Sequence, residues 1–297
     1  MTGGIILLDK PAGMTSFDCD KLVRKTMGIS KVGHSGTLDP FATGLLPIFT
    51  GDALKFMRYT DDYNKAYRCT ALFGGTSDTG DKDGNVIMTS GRQPGEEDIP
   101  AIREALMEVA SRDSQIPPKY SAKKINGKRA CDLAREGVEV ELKPAKIKIY
   151  ALNIREFAIV RECGVLVTFD VRCSKGTYIR TICTDAGDIT GFGAYAVDLR
   201  RTAVGPYKVA DAVYAENLTP DTEYLDPVTA IAHIPQISLD ADRAADIKCG
   251  RRFHRSRITG YGFEPGKLVR AEYDGALIAI IYADDGGIIR VDRGFAS

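Results

Sequence analysis

The segment Gly33-His34-Ser35-Gly36-Thr37-Leu38-Asp39-Pro40 sets one carboxylate, Asp39, in a glycine-rich stretch beside a histidine and two hydroxyl side chains. Loops carried on a rigid scaffold frequently hold reactive groups, and a carboxylate held in one can act as nucleophile, acid or base. An Asp before proline is also a common turn former, because Pro40 biases its neighbour away from helix. From this segment alone both readings stand. Other polar candidates fall in separate segments. Tyr67 lies at a strand start, and Asp78 and Asp81 flank Thr79-Gly80. Arg180 lies in the first turns of a helix after Lys175-Gly176-Thr177-Tyr178. Each has a plain structural reading: Tyr67 as an amphipathic core edge, Asp81 as an Asx turn, Arg180 as a surface cation. No Ser–His–Asp order, P-loop or dinucleotide fingerprint is present, and Gly74-Gly75 lacks the spacing and following lysine for phosphate binding.

Metal and disulfide chemistry are disfavoured by the same count of residue types. Seven cysteines (19, 69, 131, 163, 173, 183, 249) are scattered without a CxxC pair, an odd number that fits reduced thiols in the cytoplasm. The three histidines (34, 233, 254) do not cluster, so no metal is expected. Apolar runs such as Ile5–Leu8 and Ala276–Tyr282 are too short to span a bilayer, and Asp9 and Lys10 break the first as a signal segment. The expectation is a cytoplasmic protein with no membrane partner.

The formal net charge is zero, but its distribution is uneven. Lys119, Lys123, Lys124, Lys128 and Arg129 lie within Gln115–Arg129 without an acid. Arg243, Lys248, Arg251, Arg252, Arg255 and Arg257 face only Asp246, whereas Val209–Asp242 carries acids and no Lys or Arg. Two basic patches could track a phosphate backbone; solvated surface is the equal alternative.

The elements that must position these groups follow from periodicity. Ile5–Leu8 reads as a buried strand. A helix starts near Thr15, where Thr15 and Asp18 match a capping box, and Gly28 ends it. Gly33–Gly44 should be an irregular loop, Tyr67–Phe73 a strand, and Gly74–Gly84 a polar loop. Asp98–Arg112 reads as a helix capped by Asp98 with Pro100 in its first turn. Ile147–Val160 and Gly164–Ser174 read as strands, followed by a helix bearing Ile179, Ile182 and Cys183, a turn at Asp188–Gly193 and an extended Ala194–Val204. The acidic Val209–Asp242 reads as the end of the main domain plus a connector. Leu268–Tyr273, Leu277–Tyr282 and Gly287–Asp292 are short strands with glycine turns, as in a small β-barrel. Strands and helices without regular βαβ alternation indicate an α+β fold, and 297 residues suggest roughly two domains.

The ordered segments Gly4–Ser16, Lys31–Gly44, Tyr67-Arg68, Thr79–Asp81, Gln115–Ala122, Lys175–Arg180 and Leu199–Thr202 together resemble one family, the TruB-type tRNA pseudouridine synthases. Gly4-Ile5-Ile6-Leu7-Leu8-Asp9-Lys10-Pro11-Ala12-Gly13-Met14-Thr15-Ser16 is similar to its opening motif, and Lys31–Gly44 to its catalytic loop. Tyr67-Arg68, Thr79-Gly80-Asp81, Gln115–Ala122, Lys175-Gly176-Thr177-Tyr178-Ile179-Arg180 and Leu199-Arg200-Arg201-Thr202 follow in family order over residues 4–205. Leu54 stands where the family usually has Thr, Cys131-Asp132 replaces a pair containing an aromatic, and Tyr195 replaces a common His.

The resemblance implies a mixed, largely antiparallel central β-sheet flanked by helices over residues 1–236. A thumb-like RNA-binding insertion would occupy about 115–146, and a PUA-like β-barrel 237–297. It implies a monomer acting on the tRNA T-arm, turning uridine-55 into pseudouridine without a cofactor. Asp39 would be the nucleophile, attacking the ribose or supporting elimination, with Arg180 holding it ionised. Tyr67 would stack on the extruded uracil and Leu199 would close the apolar wall. His34 would fill the vacated stack, with general-base action as the alternative. Lys10, Asp81 and Tyr178 belong to the expected substrate site, Lys10 supporting the loop or a phosphate, and Lys123, Lys124 and Lys128 to the clamp over RNA. Competing classes are a non-catalytic RNA-binding or RNA-folding protein of the same fold, and a guide-dependent enzyme acting on ribosomal RNA.

Overall fold

The computed structural model describes residues 3–121, 123–125, 128–130, 133, 138 and 142–295. The side chains of Lys124 and Lys128, and the whole of Cys131-Asp132, lie outside the described residues. Two compact units are present. One comprises Ile6–Ile48 and Asp61–Glu223, the other the described residues of Met1–Ile5, Phe49–Thr60 and Tyr224–Ser297.

The central sheet is built from β1 (Ile5–Lys10), β2 (Thr43–Thr50), β3 (Lys65–Phe73), β4 (Ile149–Val160), β5 (Gly164–Cys173), β6 (Ala194–Val204) and β7 (Val213–Tyr214). Their order is β4-β5-β3-β6-β2-β1-β7, with Val32–His34 paired to β2 and Tyr207–Lys208 to β6. Pairings β4–β5, β5–β3 and β3–β6 are antiparallel, while β6–β2 and β1–β7 are parallel. The expected α+β fold with a mixed, largely antiparallel sheet is therefore present. Alternation explains the half-buried strands: Val165, Val167, Phe169 and Val171 of β5 turn inward together.

Helix α1 (Ser16–Met27) begins and ends as its local residues dictate. The Thr15 hydroxyl accepts from Asp18 N at 3.1 Å, the Asp18 carboxylate accepts from Thr15 N at 3.3 Å, and Gly28 closes the helix at φ 65°. Helices α2 (Ile99–Ser111) and α3 (Ile179–Thr190) pack on the sheet through Ile102, Leu106 and Val109 and through Ile182, Cys183 and Ala186, against Phe73, Val167 and Phe169.

Some local readings change. Asp98 precedes α2 without capping it by a side-chain bond, because Arg92 takes its carboxylate at 2.7 and 2.8 Å and Gly95 N donates to it at 2.8 Å. The expected loop after β3 contains Gly75–Ser77, paired with Val86–Met88. The loop expected over Gly33–Gly44 narrows to Ser35–Ala42, and α3 runs to Thr190 before Gly191 ends it at φ 74°. The stretch read as the end of the main domain contributes β7, whose two residues are too short to show a period.

In the other unit, β8 (Gln236–Ser238), β9 (Val269–Tyr273), β10 (Ala276–Ala283) and β11 (Ile289–Gly294) form a sheet in sequence order, β8–β9 parallel and the rest antiparallel. A short helix, α4 (Ala241–Lys248), packs Ala244 and Ile247 into the same core as Val269, Ala279 and Ile281. Asp240 caps α4 by accepting from Arg243 N at 2.7 Å.

Candidate active site

The loop carrying Asp39 is fastened on several sides. Ser16, the first residue of α1, accepts from Leu38 N at 2.9 Å and donates back to Leu38 O at 3.2 Å. Gly13 N donates to Pro40 O at 2.9 Å, so the turn after β1 grips the Asp39-Pro40 peptide. Beneath it lies Lys10, wholly buried, whose ammonium donates to Pro11 O, Met14 O and Pro40 O at 2.9, 2.7 and 3.2 Å. Burial pulls its pKa down to about 8, with Cys19 and Asp39 opposing that shift. All three acceptors of the Lys10 ammonium are main-chain carbonyls.

A second buried cation reaches the same loop from β6. Arg201 is 0% exposed, and its Nε donates to Leu45 O at 2.7 Å and its Nη2 to Gly36 O at 2.9 Å. It pairs directly across the sheet with Tyr67 of β3, and its guanidinium faces the Tyr67 phenol. Leu199 lies two residues earlier on the same face. Gly44, Arg201's register partner on β2, has room for no side chain: a Cβ there would stand 2.3 Å from Arg201 O.

Arg180 enters from the first turn of α3 and is 3% exposed. Its Nε lies 2.9 Å from Asp39 Oδ2 and its Nη2 donates to Asp39 Oδ1 at 3.2 Å, an ion pair carrying one charge-assisted hydrogen bond. The remaining edge of the guanidinium is also occupied. Nη1 donates to Thr79 O at 2.5 Å and lies 3.2 Å from Asp81 Oδ2, and Nη2 donates to Tyr120 O at 2.9 Å. Asp81 is itself held by Thr79 Oγ1 at 2.8 Å and Asp83 N at 3.1 Å. Burial pushes the Asp39 carboxyl above the usual carboxylate range, Arg180 opposing that shift and Asp81 adding to it.

These groups border a cavity of about 260 Å³ lined by Gly36, Thr37, Leu38, Asp39, Lys65, Tyr67, Leu199 and the Gly176–Arg180 turn. Small-ligand sites usually occupy ~300–1,000 Å³, so this one suits a single planar base better than a large cofactor. Tyr67 is 8% exposed, and burial raises its hydroxyl to about 12, Arg201 opposing. Tyr178 precedes α3, its main-chain N–H and C=O both held by Gln115, at 2.8 and 3.0 Å.

The structure thus brings Asp39, Tyr67, Tyr178, Arg180 and Leu199 to one cavity. Asp81 stands behind Arg180 and not on the cavity wall. His34 also stands back from it: Nδ1 lies 2.8 Å from Asp20 Oδ2 and Nε2 3.3 Å from Thr37 Oγ1, and Thr37 lines the cavity. Lys123 donates to Lys143 O at 3.3 Å. Lys65, Gln115 and Arg201 were not singled out from sequence. For Lys65 and Arg201 the signal was available, since each is two residues from a chosen strand residue and therefore shares its face.

One carboxylate, paired with one buried arginine, thus borders a small cavity walled by tyrosine and leucine on this mixed sheet. Residues 24–179 match the TruB family pseudouridylate synthase N-terminal domain, and residues 180–229 the tRNA pseudouridylate synthase B C-terminal domain. The tRNA pseudouridine synthase B of Azoarcus sp. strain BH72 is 42% identical over 262 residues, 85% of this chain and 83% of its own. That of Haemophilus influenzae strain 86-028NP is 37% identical over 300 residues, 98% and 94%. Among solved structures, a Cbf5-Nop10-Gar1 complex aligns with TM-score 0.72 at 23% identity, covering 99% of this chain and 85% of that one, a likeness of fold. The chain belongs to the TruB family of pseudouridylate synthases.

Proposed function

We propose that this protein isomerises uridine to pseudouridine in the T-loop of tRNA, at uridine-55, acting alone in the cytoplasm as a monomer and without a cofactor. The observation that carries the reading is the hydrogen-bonded Arg180–Asp39 ion pair at the cavity wall. The names of the relatives supply the tRNA.

The bond from C1′ to N1 breaks, the uracil turns, C5 joins C1′, and the proton lost from C5 is balanced by one taken up at N1. Nothing is oxidised and no group is imported. Glycosidases use two carboxylates and admit a water between them. Here one carboxylate must engage C1′ while water stays out, because hydrolysis would leave an abasic site. Asp39 takes that role. Arg180 keeps it ionised against the burial that raises its pKa, and Asp81 and Thr79 hold Arg180 in turn. Tyr67 and Leu199 sandwich the extruded base. Extruding it costs a few kcal/mol of stacking, and His34 with Thr37 props the gap. Residues about 115–146 act as a basic clamp over the T-arm, with Lys123, Lys124 and Lys128 on phosphates. Residues 237–297 form the PUA-like RNA-binding part of the protein.

The test is to incubate purified protein with unmodified tRNA, free of added metal, nucleotide or guide RNA, and to map pseudouridine chemically. Wild type should convert one T-loop uridine, and Asp39→Asn none. Conversion by Asp39→Asn would remove Asp39 from the chemistry. Activity only with a guide RNA would replace the stand-alone reading, and tRNA binding without conversion would make the protein an RNA-folding factor.

A further inference from the structure

Lys65 is a cation on the cavity wall with no role in the scheme above. It stands two residues before Tyr67 on β3, so both side chains leave the strand on the cavity face, whereas Arg68 turns to the other face and pairs with Asp170. Its Nζ has one hydrogen-bond acceptor, Tyr63 O at 3.4 Å, and no ion pair among the described residues. The other cations here are committed: Arg180 to Asp39 and Asp81, Arg201 to Leu45 O and Gly36 O. Lys65 is packed as well, its Cε standing 3.1 Å from where a Cβ on Gly36 would be. A partly buried, uncommitted ammonium beside a base-sized cavity is poised for an anion that forms inside it.

The chemistry supplies such an anion. When C1′–N1 breaks, its electron pair leaves with the base, and detached uracil carries one negative charge shared between N1 and its carbonyl oxygens. When C5 bonds to C1′, the ring gives that pair back and the charge disappears. This holds whether Asp39 attacks C1′ directly or supports elimination. Resting on the pseudouridine synthase reading above, we propose that Lys65 is a catalytic residue that stabilises the departing uracil anion by placing its ammonium against a carbonyl oxygen of the base. It gives up no proton, so the cycle returns it unchanged. The stabilisation acts on charge that develops during the reaction, which raises kcat and not ground-state affinity.

Removing one such donor typically costs ~10²–10³ in kcat. Lys65→Met should therefore lower kcat by about 10²-fold on tRNA while KM and the salt dependence of binding stay near wild type, and Lys65→Arg should recover roughly tenfold of that loss. The decisive arm uses single-turnover glycosidic cleavage of RNA carrying uridine or 5-fluorouridine at the target. Fluorine stabilises the uracil anion by itself, so the Lys65→Met deficit should shrink on the fluorinated RNA. An equal deficit on both RNAs would overturn the proposal. So would a loss confined to KM with a shallower salt slope, which assigns Lys65 to a backbone phosphate. Lys65→Gln, read in the same way, serves if the Met variant does not fold. Wild type that makes no pseudouridine fails the functional reading itself; wild type that is active and matched by Lys65→Met overturns this inference alone.

Discussion

Arg180 joins two carboxylates that stand 42 residues apart in the chain, Asp39 at 2.9 Å from Nε and Asp81 at 3.2 Å from Nη1. Both Arg180 and Asp81 are buried, so Asp81 fixes the plane of the guanidinium that grips Asp39. Asp81→Ala should destabilise the protein by about 3–5 kcal/mol, the usual cost of stranding one member of a buried pair, read by urea denaturation. Asp81→Asn keeps the shape and should lower kcat while leaving tRNA affinity near wild type. Wild-type kcat in Asp81→Asn would show that Arg180 needs only Thr79 O and Tyr120 O to stay in place.

The raised Asp39 carboxyl predicts where activity fails in acid. The reaction needs the carboxylate, and burial raises the pH at which it forms. Activity should therefore be lost as pH falls through a value above the ordinary ~3.9 of aspartate. Arg180 lowers that pKa, so Arg180→Met should move the acid limb of kcat/KM still higher, in addition to reducing the rate. A limb at or below the ordinary value in wild type would contradict the burial argument. The sign for stability is opposite to that of an ordinary paired carboxylate. Between the unfolded and folded pKa the folded chain holds more protons, so this group's contribution declines as pH rises through that window.

Lys10 titrates within reach of ordinary buffers. Its folded pKa is about 8, whereas an exposed lysine loses its proton near ~10.4. Between those values the unfolded chain binds the proton that the folded chain has released, so unfolding becomes harder as pH rises. The stability difference between wild type and Lys10→Met should widen from pH ~8 to ~10.4, measured by urea denaturation across that range. At neutral pH the variant strands the carbonyls of Pro11, Met14 and Pro40, at roughly 1–3 kcal/mol for each one left without a donor. A difference that stays flat with pH would mean that Lys10 keeps its proton throughout.

What could be read along the chain was what neighbours in sequence decide. Thr15, Asp18 and Gly28 lie within one helix and its two ends, so α1 was legible to its caps. Asp98 was misread because its rival partner, Arg92, lies outside the helix whose start it marks. The two-residue β7 has no period of its own and is held by β1, more than 200 residues away. In the site, Asp39 and Arg180 could be chosen only through family likeness, since their contact spans 141 positions. Lys65 and Arg201 were hidden differently. Alternation put them on the right face, but only the β3–β6 register, Tyr67 opposite Arg201, shows that this face meets the Asp39 loop.

Gly44 tests how rigidly that loop is mounted. It has φ +101°, and a Cβ would stand 2.3 Å from Arg201 O and 2.7 Å from Arg201 N. Neither contact is with a flexible side chain that could move aside. Gly44→Ala should lose on the order of 3 kcal/mol from overpacking and backbone strain together, seen as a lower urea midpoint with unchanged slope. Because β2 carries Leu45, whose carbonyl Arg201 holds, activity should fall further than the folded fraction alone explains. Equal specific activity per folded molecule would uncouple the strand from the loop.

The basic segment makes the last prediction through salt. Lys123, Lys124 and Lys128 are assigned to phosphates because their acid-free segment, Gln115 to Arg129, resembles the family's clamp over RNA. Each phosphate contact releases counterions and contributes ~0.7–0.9 to the slope of log affinity against log salt. Replacing all three with Gln should weaken tRNA binding and flatten the slope by roughly 2, while a saturated complex turns over near the wild-type rate. If affinity falls without any change in slope, these lysines do not meet phosphates and the segment must grip RNA by other contacts. If neither changes, the segment is solvated surface, and RNA must be held by charges elsewhere, with Arg251, Arg252, Arg255 and Arg257 the next set to neutralise.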